Sequence, residues 1–193
     1  MKFDNSFEVP LPPAEAWALL RDVQRIAPCM PGAELTEVID ERSFKGRVAV
    51  KLGPVALTFA GTARFEELDD ATHTAKVKAQ GTDQKGRGGA NAVVGFALLP
   101  VPTGTRVDIT TDVTLSGAVA QYGRGAGIIQ AVAAELIGQF AERLRAMIAR
   151  DAPAAGPAPE ASPAPPPQAA PIGGFGLVWR ALLSWLRSIL GRR

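Results

Sequence analysis

The sequence contains few residues that could carry acid–base or nucleophilic chemistry. His73 is the only histidine and Cys29 the only cysteine, so a histidine pair or a histidine-rich metal site cannot form. Cys29 lies in a turn between Pro28 and Met30, and His73 lies near a strand start, so a Cys–His dyad would need a long-range contact. Most carboxylates fall in turns or at outward strand positions, which predicts no inward acid–base pair. The pattern favours binding over catalysis, and we expect no enzyme activity, no metal and no required cofactor.

Two glycine clusters are only superficially similar to phosphate-binding loops. Gly-Arg-Gly-Ala-Gly at 123–127 lacks the spacing of a dinucleotide fingerprint, and no strand follows the next helix to complete a βαβ unit. We interpret these glycines as weakening the first turns of a helix, so that a pocket mouth can open there. Gly-Arg-Gly-Gly at 86–89 predicts a hairpin turn with a bulge.

The charge distribution divides the chain into a neutral body and a basic tail. The formal net charge of +2 comes from 17 basic and 17 acidic residues up to Arg150, and 4 basic and 2 acidic residues after it. A neutral body with 6% aromatic residues argues against nucleic-acid binding. The charged amino terminus and the single cysteine predict a reducing cytoplasmic location rather than secretion.

Composition predicts three segments: a folded domain at 1–150, a linker at 151–172 and an amphipathic helix at 173–193. The linker holds 8 of the 16 prolines and 8 alanines in 22 residues. Such a composition favours an extended polyproline conformation rather than a packed core. At about 3.1 Å per residue it would reach on the order of 70 Å, as a semi-rigid tether.

The last segment predicts a helix with a wide apolar arc and a narrow polar stripe that contains Arg180, Ser184 and Arg187. This pattern is typical of a helix that lies in the membrane interface, because a spanning helix is longer and rarely carries two central arginines. A helix that docks on a partner protein and a true span are the alternatives. The candidate membrane-anchor residues are Trp179, Arg180, Leu183, Trp185, Leu186, Arg187, Ile189 and Leu190.

Hydrophobic periodicity predicts an α+β fold for the body. Alternation at Phe3 to Val9 indicates an opening strand, and Pro13 starts a short helix. Period-two alternation from Leu35 to Gly117 predicts an antiparallel meander with one covered face. A stripe on a long final helix would provide the cover, so the sheet curves around that helix. The stripe consists of Tyr122, Ile129, Ala133, Leu136, Phe140, Leu144 and Met147.

Many positions on the predicted inner face are small. Interiors pack densely, so small residues opposite a helix of moderate side chains favour an apolar cavity, which is the usual form of a ligand site. The alternative is that the glycines mark bulges that bend the sheet, and both can hold. The small positions are Gly46, Gly61, Ala63, Ala75, Ala79, Gly81, Ala90, Ala92 and Gly117.

Three segments of the body resemble the CoxG family of carbon monoxide dehydrogenase subunits, which belongs to the START-like (SRPBCC) helix-grip superfamily. They are Met-Pro-Gly-Ala at 30–33, the strand pair at 44–48 and 51–55 with its Lys-Leu-Gly-Pro turn, and Gly-Ala-Val-Ala-Gln-Tyr-Gly-Arg at 117–124. The likeness covers nearly all of residues 1–150. It implies a START-like fold in which a curved antiparallel sheet grips the C-terminal helix.

The resemblance implies a non-enzymatic accessory protein of a molybdenum hydroxylase of the carbon monoxide dehydrogenase type. Such a protein would bind an isoprenoid quinone or another apolar molecule and attach the dehydrogenase to an anionic membrane surface, at the inner face of the cell membrane. Arg124 carries over with the motif nearest the expected pocket mouth. A cyclase or hydrolase on the same fold, with His73 and Asn91 as a polar pair, and a pure interaction adaptor are the alternatives. The expected pocket residues are Gly117, Gln121, Tyr122, Ile129, Leu136, Phe140, Phe59, Val94 and Phe96.

Overall fold

A computed structural model describes residues 1–52, 55–123 and 126–152. The predicted linker beyond Ala152 and the predicted anchor helix lie outside the described residues, as does Arg124. The folded body is therefore the part of the chain whose predictions the structure can test.

Seven antiparallel strands form one sheet with the order β1-β7-β6-β5-β4-β3-β2. Apart from the outer strand β1, the strands follow one another as a meander, as the alternating pattern predicts. Inward residues such as Val107 and Leu98 are buried, whereas their neighbours in sequence are exposed or half-buried. The strands are β1 (Lys2–Val9), β2 (Ala33–Val38), β3 (Ser43–Leu52), β4 (Val55–Asp69), β5 (Thr74–Asp83), β6 (Gly88–Val101) and β7 (Gly104–Gly117).

Helices occupy the connection from β1 to β2 and the end of the described chain. They are α1 (Pro13–Arg21), α2 (Val23–Ile26) with a 3₁₀ turn at Ala27–Cys29, α3 (Ala120–Gly123) and α4 (Ala126–Asp151). Proline at the start of α1 has no amide hydrogen to leave unpaired there, which is why it begins that helix. Among the described helices, none combines the length and apolarity needed to cross a membrane.

The main core lies under the C-terminal half of α4. Phe140 packs edge-on against Phe7 of β1 at a ring separation of 5.7 Å, and Leu144 is completely buried. Helix α1 closes the same core with Trp17, whose Nε1 donates to Asp70 Oδ1 at 2.7 Å. The cover of the sheet is thus shared by α4 and α1, whereas the sequence predicted α4 alone.

The predicted helical stripe is divided at its amino-terminal end. Tyr122 lies in the separate short helix α3, and α4 begins at Ala126, so the stripe does not run along one continuous helix. The glycines at 123, 125 and 127 explain the division, since glycine weakens a helix more than any residue except proline. The hairpin from β5 to β6 forms as predicted, but the paired residues show no register shift there, so its predicted bulge is wrong.

Register irregularities occur at Leu35–Glu37 and at Phe65–Glu67, not at the small inner residues. The bulge interpretation of Gly46, Gly61 and Gly81 is therefore wrong. Gly61 instead marks a close approach of two strands, because a Cβ at this position would overlap the carbonyl oxygen of Gln80. This glycine allows β4 and β5 to curve toward each other where the sheet is most concave.

We predict opposite effects of the same substitution at two glycines. Gly61→Ala destabilises the protein by more than about 2 kcal/mol, because backbone atoms of β5 must move. Gly138→Ala stabilises it by about 0.5–1 kcal/mol, because Gly138 is inside α4 and a Cβ there meets no atom within 4 Å. Urea unfolding of both variants measures the difference. A neutral Gly61→Ala would show that the two strands are not constrained at this point.

Candidate functional site

The inner face of the sheet lacks large side chains along two adjacent rows. The register pairs Gly46 with Gly61, Gly61 with Gly81, and Gly81 with Ala90. The neighbouring row consists of Ala63, Ala79 and Ala92. Small residues on this face are predicted by the sequence, and the register shows that they lie side by side across four strands. We call these seven residues the floor.

A cavity of about 320 Å³ lies on the floor. Phe44 and Phe59 border it from β3 and β4, while Val23 and Ala27 border it from the α2 segment and Leu35 from β2. These side chains are apolar, and each is buried or half-buried. The apolar cavity expected from the small residues is present, and it can hold an uncharged molecule.

Charged residues at the cavity border are paired with one another. Arg47 Nη2 donates to Glu34 Oε2 at 2.8 Å, and Lys45 Nζ donates to Glu37 Oε2 at 2.9 Å. Arg47 and Lys45 alternate with Gly46, so their side chains belong to the outer face of the sheet. The interior of the cavity therefore receives no charge from β3.

Phe59 lines the cavity, as the sequence predicts for a pocket residue. Two other predicted pocket residues contribute to the main core: Phe140 packs on Phe7, and Phe96 lies 6.1 Å from the Trp17 ring. Val94 is half-buried on β6, where it pairs with Val77.

The remaining predicted pocket residues lie around the amino-terminal end of α4. Tyr122 and Ile129 pack in a second cluster, around the buried residues Leu52, Leu57 and Val119, and Phe59 joins this cluster. Leu136 is half-buried on α4 and Gln121 is exposed on α3. Phe59 thus connects the cavity to the cluster that holds Tyr122 and Ile129.

Gly117 has a structural role at the end of β7. Its φ of +66° lies in the left-handed region, and a Cβ there would lie 2.8 Å from Gly88 Cα. Glycine at this position allows the ends of β6 and β7 to approach each other before the chain turns into α3.

Several cavity residues are missing from the sequence prediction. Phe44 and Val48 alternate with Gly46 on β3, so the period-two pattern could have placed them on the same face. Val23, Ala27 and Leu35 reach the cavity because the α2 segment folds over β2. No local pattern predicts this long-range packing.

One carboxylate departs from the expectation that acidic residues face outward. Asp83 is 2% exposed and lies on the inner face, where its register partner is Phe59. Arg87 binds it with two hydrogen bonds, from Nε to Oδ2 at 2.7 Å and from Nη2 to Oδ1 at 2.8 Å. This pair holds the pKa of Asp83 far below its ordinary value. Asp83 therefore remains a carboxylate at neutral pH and is unsuited to proton transfer.

The Asp83–Arg87 pair fixes the end of the sheet nearest α3. Asp83 also accepts hydrogen bonds from the backbone amides of Thr58, Lys85 and Arg87. The Arg87 carbonyl accepts a hydrogen bond from Val119 N at 3.1 Å, which ties the segment before α3 to this hairpin. The buried ion pair thus positions the motif that contains Gln121 and Tyr122.

The two candidate nucleophilic or basic residues have separate structural contacts. His73, in the turn before β5, packs against Trp17 with ring centroids 5.6 Å apart. Cys29 is buried and its Sγ lies 3.9 Å from Met147 Sδ. Burial raises the pKa of the Cys29 thiol, which keeps it protonated at neutral pH. Within the described ranges, no cluster of three or more His, Cys, Asp or Glu side chains could hold a metal ion.

Solved structures share this architecture. A conserved protein of Geobacillus kaustophilus aligns with a TM-score of 0.67 at 22% identity, over 78% of this chain and 96% of that chain. A Thermus thermophilus protein gives 0.58 at 16% identity, over 79% and 100%. The ZhuI aromatase/cyclase of a Streptomyces species gives 0.57 at 17% identity, over 81% and 98%. At these identities the likeness concerns the fold alone.

The curved sheet, the long C-terminal helix and these neighbours define a START-like helix-grip protein. No curated protein sequence matches the chain at a significant level. The sequence profile of the carbon monoxide dehydrogenase subunit CoxG matches residues 6–149. The chain belongs to this family, as the motifs at 30–33, 44–55 and 117–124 indicate.

We predict that Asp83→Asn lowers the thermal unfolding midpoint by about 5–10 °C at pH 7, because Arg87 loses its buried partner. Asp83 has a depressed pKa in the folded protein, so its stabilising effect is complete above the ordinary aspartate pKa of about 4 and declines as the pH falls below it. The gap between wild type and variant should therefore be constant from pH 7 to 5 and shrink toward pH 3.

Asp108→Asn is the matched control, because Asp108 pairs with Arg106 at 2.9 Å but both side chains are more than a third exposed. We expect this variant to change the midpoint little at any pH. Equal effects of the two substitutions would contradict a special role for the buried pair.

Proposed function

We propose that this protein is a non-enzymatic accessory protein of a molybdenum-containing dehydrogenase of the carbon monoxide dehydrogenase type. It binds an isoprenoid quinone or another apolar molecule in the cavity on the floor. Its C-terminal segment attaches the protein, and with it the dehydrogenase, to the inner face of the cell membrane. Membership of the CoxG family supports the dehydrogenase partner.

The cavity is the observation that carries the binding proposal. Its volume of about 320 Å³ is at the lower end of the range for small-molecule sites, about 300–1,000 Å³. This space suits a ring system with a short part of an apolar chain, while a longer chain would extend from the cavity. Burial of apolar ligand surface would stabilise the complex by about 25 cal/mol per Å².

The chemistry of the described residues supports carriage rather than catalysis. Asp83 is fixed as a carboxylate by Arg87, the Cys29 thiol is buried beside Met147, and His73 packs on Trp17. Asn91, the other half of the polar pair expected for a cyclase, is exposed on β6 and belongs to the outer face. A non-enzymatic carrier needs none of these groups to react.

The amphipathic pattern of residues 173–193 supports the membrane attachment. Its apolar arc includes Trp179 and Trp185, and its arginines would be attracted to anionic lipids by about 1 kcal/mol each. A linker of 22 residues between the body and this segment would let the body reach a dehydrogenase while the tail stays on the membrane.

We predict that filling the cavity abolishes ligand binding without unfolding the protein. Ala79→Leu combined with Ala92→Leu adds six carbon atoms above the floor, and the affinity for a short-chain quinone should fall by at least about tenfold. Isothermal titration calorimetry of the full-length protein measures the affinity, and circular dichroism checks the fold.

The control combines Ala49→Leu with Ala56→Leu, which adds the same atoms at two exposed strand positions. This variant should bind the quinone as the wild type does. Quinone binding that is equal in all three proteins would contradict a site on the floor.

We predict that the apolar arc of the tail drives membrane binding. Leu183→Gln with Leu186→Gln should reduce binding of the full-length protein to anionic liposomes by at least about tenfold, because each buried leucine contributes about 1.5–3 kcal/mol. Co-sedimentation with liposomes measures the bound fraction.

Ser184→Gln with Ser188→Gln is the matched control, since both residues lie on the polar stripe. We expect this variant to retain membrane binding. A chain that ends at Arg150 should remain unbound, and equal binding by that chain and the full-length protein would remove the tail from the account.

A further inference from the structure

The sheet has an unpaired edge at β2. In the described part of the sheet, β2 pairs with β3 on one side and forms the end of the strand order on the other. An edge strand presents backbone N–H and C=O groups that can pair with another chain, and natural proteins usually cover or interrupt such edges. The outer side of β2 is therefore a surface that needs a neighbour or a blocking device.

A groove of about 540 Å³ runs along this strand. Every residue of β2 lines it on one side, and Gln24, Ala27 and Pro28 line it on the other. We call this feature the edge groove. Val38 and Ile39, at the end of β2, are 41% and 48% exposed, which is unusual for such large apolar side chains. The edge groove thus combines free backbone groups with uncovered apolar surface.

The described chain ends beside the edge groove. Asp151 Oδ2 accepts a hydrogen bond from Arg25 Nη2 at 2.6 Å, and Arg25 lies next to Gln24. Met147, one turn earlier on α4, contacts Cys29 next to Pro28. The amide of Ala152 donates to the Ile148 carbonyl at 2.9 Å, so the helical path extends to Ala152. Two contacts on separate turns of α4 therefore place the start of the following segment at the α2 side of the groove.

We infer that residues 153–159 lie along β2 in the edge groove. Their sequence is Pro-Ala-Ala-Gly-Pro-Ala-Pro, which is uncharged and carries only small side chains or proline rings. At about 3.1 Å per residue, seven residues in an extended polyproline conformation span about 22 Å. The six residues of β2 span about 20 Å at about 3.3 Å each. The segment thus matches the length of the strand that it covers.

Proline makes this segment suitable as an edge cover. A proline has no N–H group, but its carbonyl can accept a hydrogen bond from an edge amide. The segment can therefore satisfy donors of β2 without presenting a complete new edge to further chains. A segment rich in proline ends the sheet, whereas an ordinary strand would extend it.

The edge groove also shares part of its wall with the cavity on the floor. Ala27, Ala33, Glu34 and Leu35 line both. A segment in the groove would therefore hold the wall of the cavity in place from outside. This inference concerns the body and the segment that follows it, and it does not depend on the identity of the cavity ligand.

Amide hydrogen exchange of the full-length protein tests the inference. In one variant, residues 153–159 are replaced by Gly-Ser-Gly-Ser-Gly-Ser-Gly, which keeps the length but removes the prolines. We expect amides within β2 to exchange at least about tenfold faster than in the wild type, while central amides of β6 and β7 stay unchanged and report an intact fold.

The matched control replaces residues 163–169 in the same way and should leave β2 exchange unchanged. Equal β2 exchange in the wild type and the 153–159 variant would overturn the inference, and so would equal acceleration by both replacements. Protection of β2 that rises with protein concentration would also overturn it, because a second copy would then be the occupant of the edge groove.

Discussion

The absence of side chains along two rows of the inner sheet face is the constraint on which the rest of the structure depends. Protein interiors are close-packed, so a curved sheet opposite a helix would normally fill this space with large residues. Here glycine or alanine stands at seven paired positions on four adjacent strands, and a cavity of about 320 Å³ remains. Stability must therefore come from other parts of the body.

Those parts lie on both sides of the floor. On one side, Phe140 and Leu144 of α4 join Trp17 of α1 in a dense core. On the other, the Asp83–Arg87 pair and the cluster around Leu57 and Val119 hold the end of the sheet. A cavity between two firmly packed regions can stay open without collapse of the sheet, and its apolar walls suit a ligand that water solvates poorly.

Much of this organisation could be predicted from residue patterns, and the reasons are local. Alternation at Val107 and Ile109 fixes the face of β7, and the paired small residues indicate a cavity before any register is known. The identity of its walls depends on long-range packing, so Val23 and Leu35 were missed. Asp83 was also missed, because a turn sequence does not reveal that Arg87 folds back onto an inward carboxylate. The helical stripe was placed correctly around Phe140 but extended too far, since the glycines after Tyr122 separate α3 from α4.

The most direct measurement of the central claim concerns the content of the cavity. Full-length protein, purified without detergent from the cells that produce it, is weighed by native mass spectrometry, and its organic extract is analysed in parallel. We predict a bound apolar molecule, with a quinone in the extract, in a ratio approaching one per protein. Ala79→Leu combined with Ala92→Leu should remove it. A cavity that is reproducibly empty, in a protein that also fails to bind quinone on titration, would contradict the account.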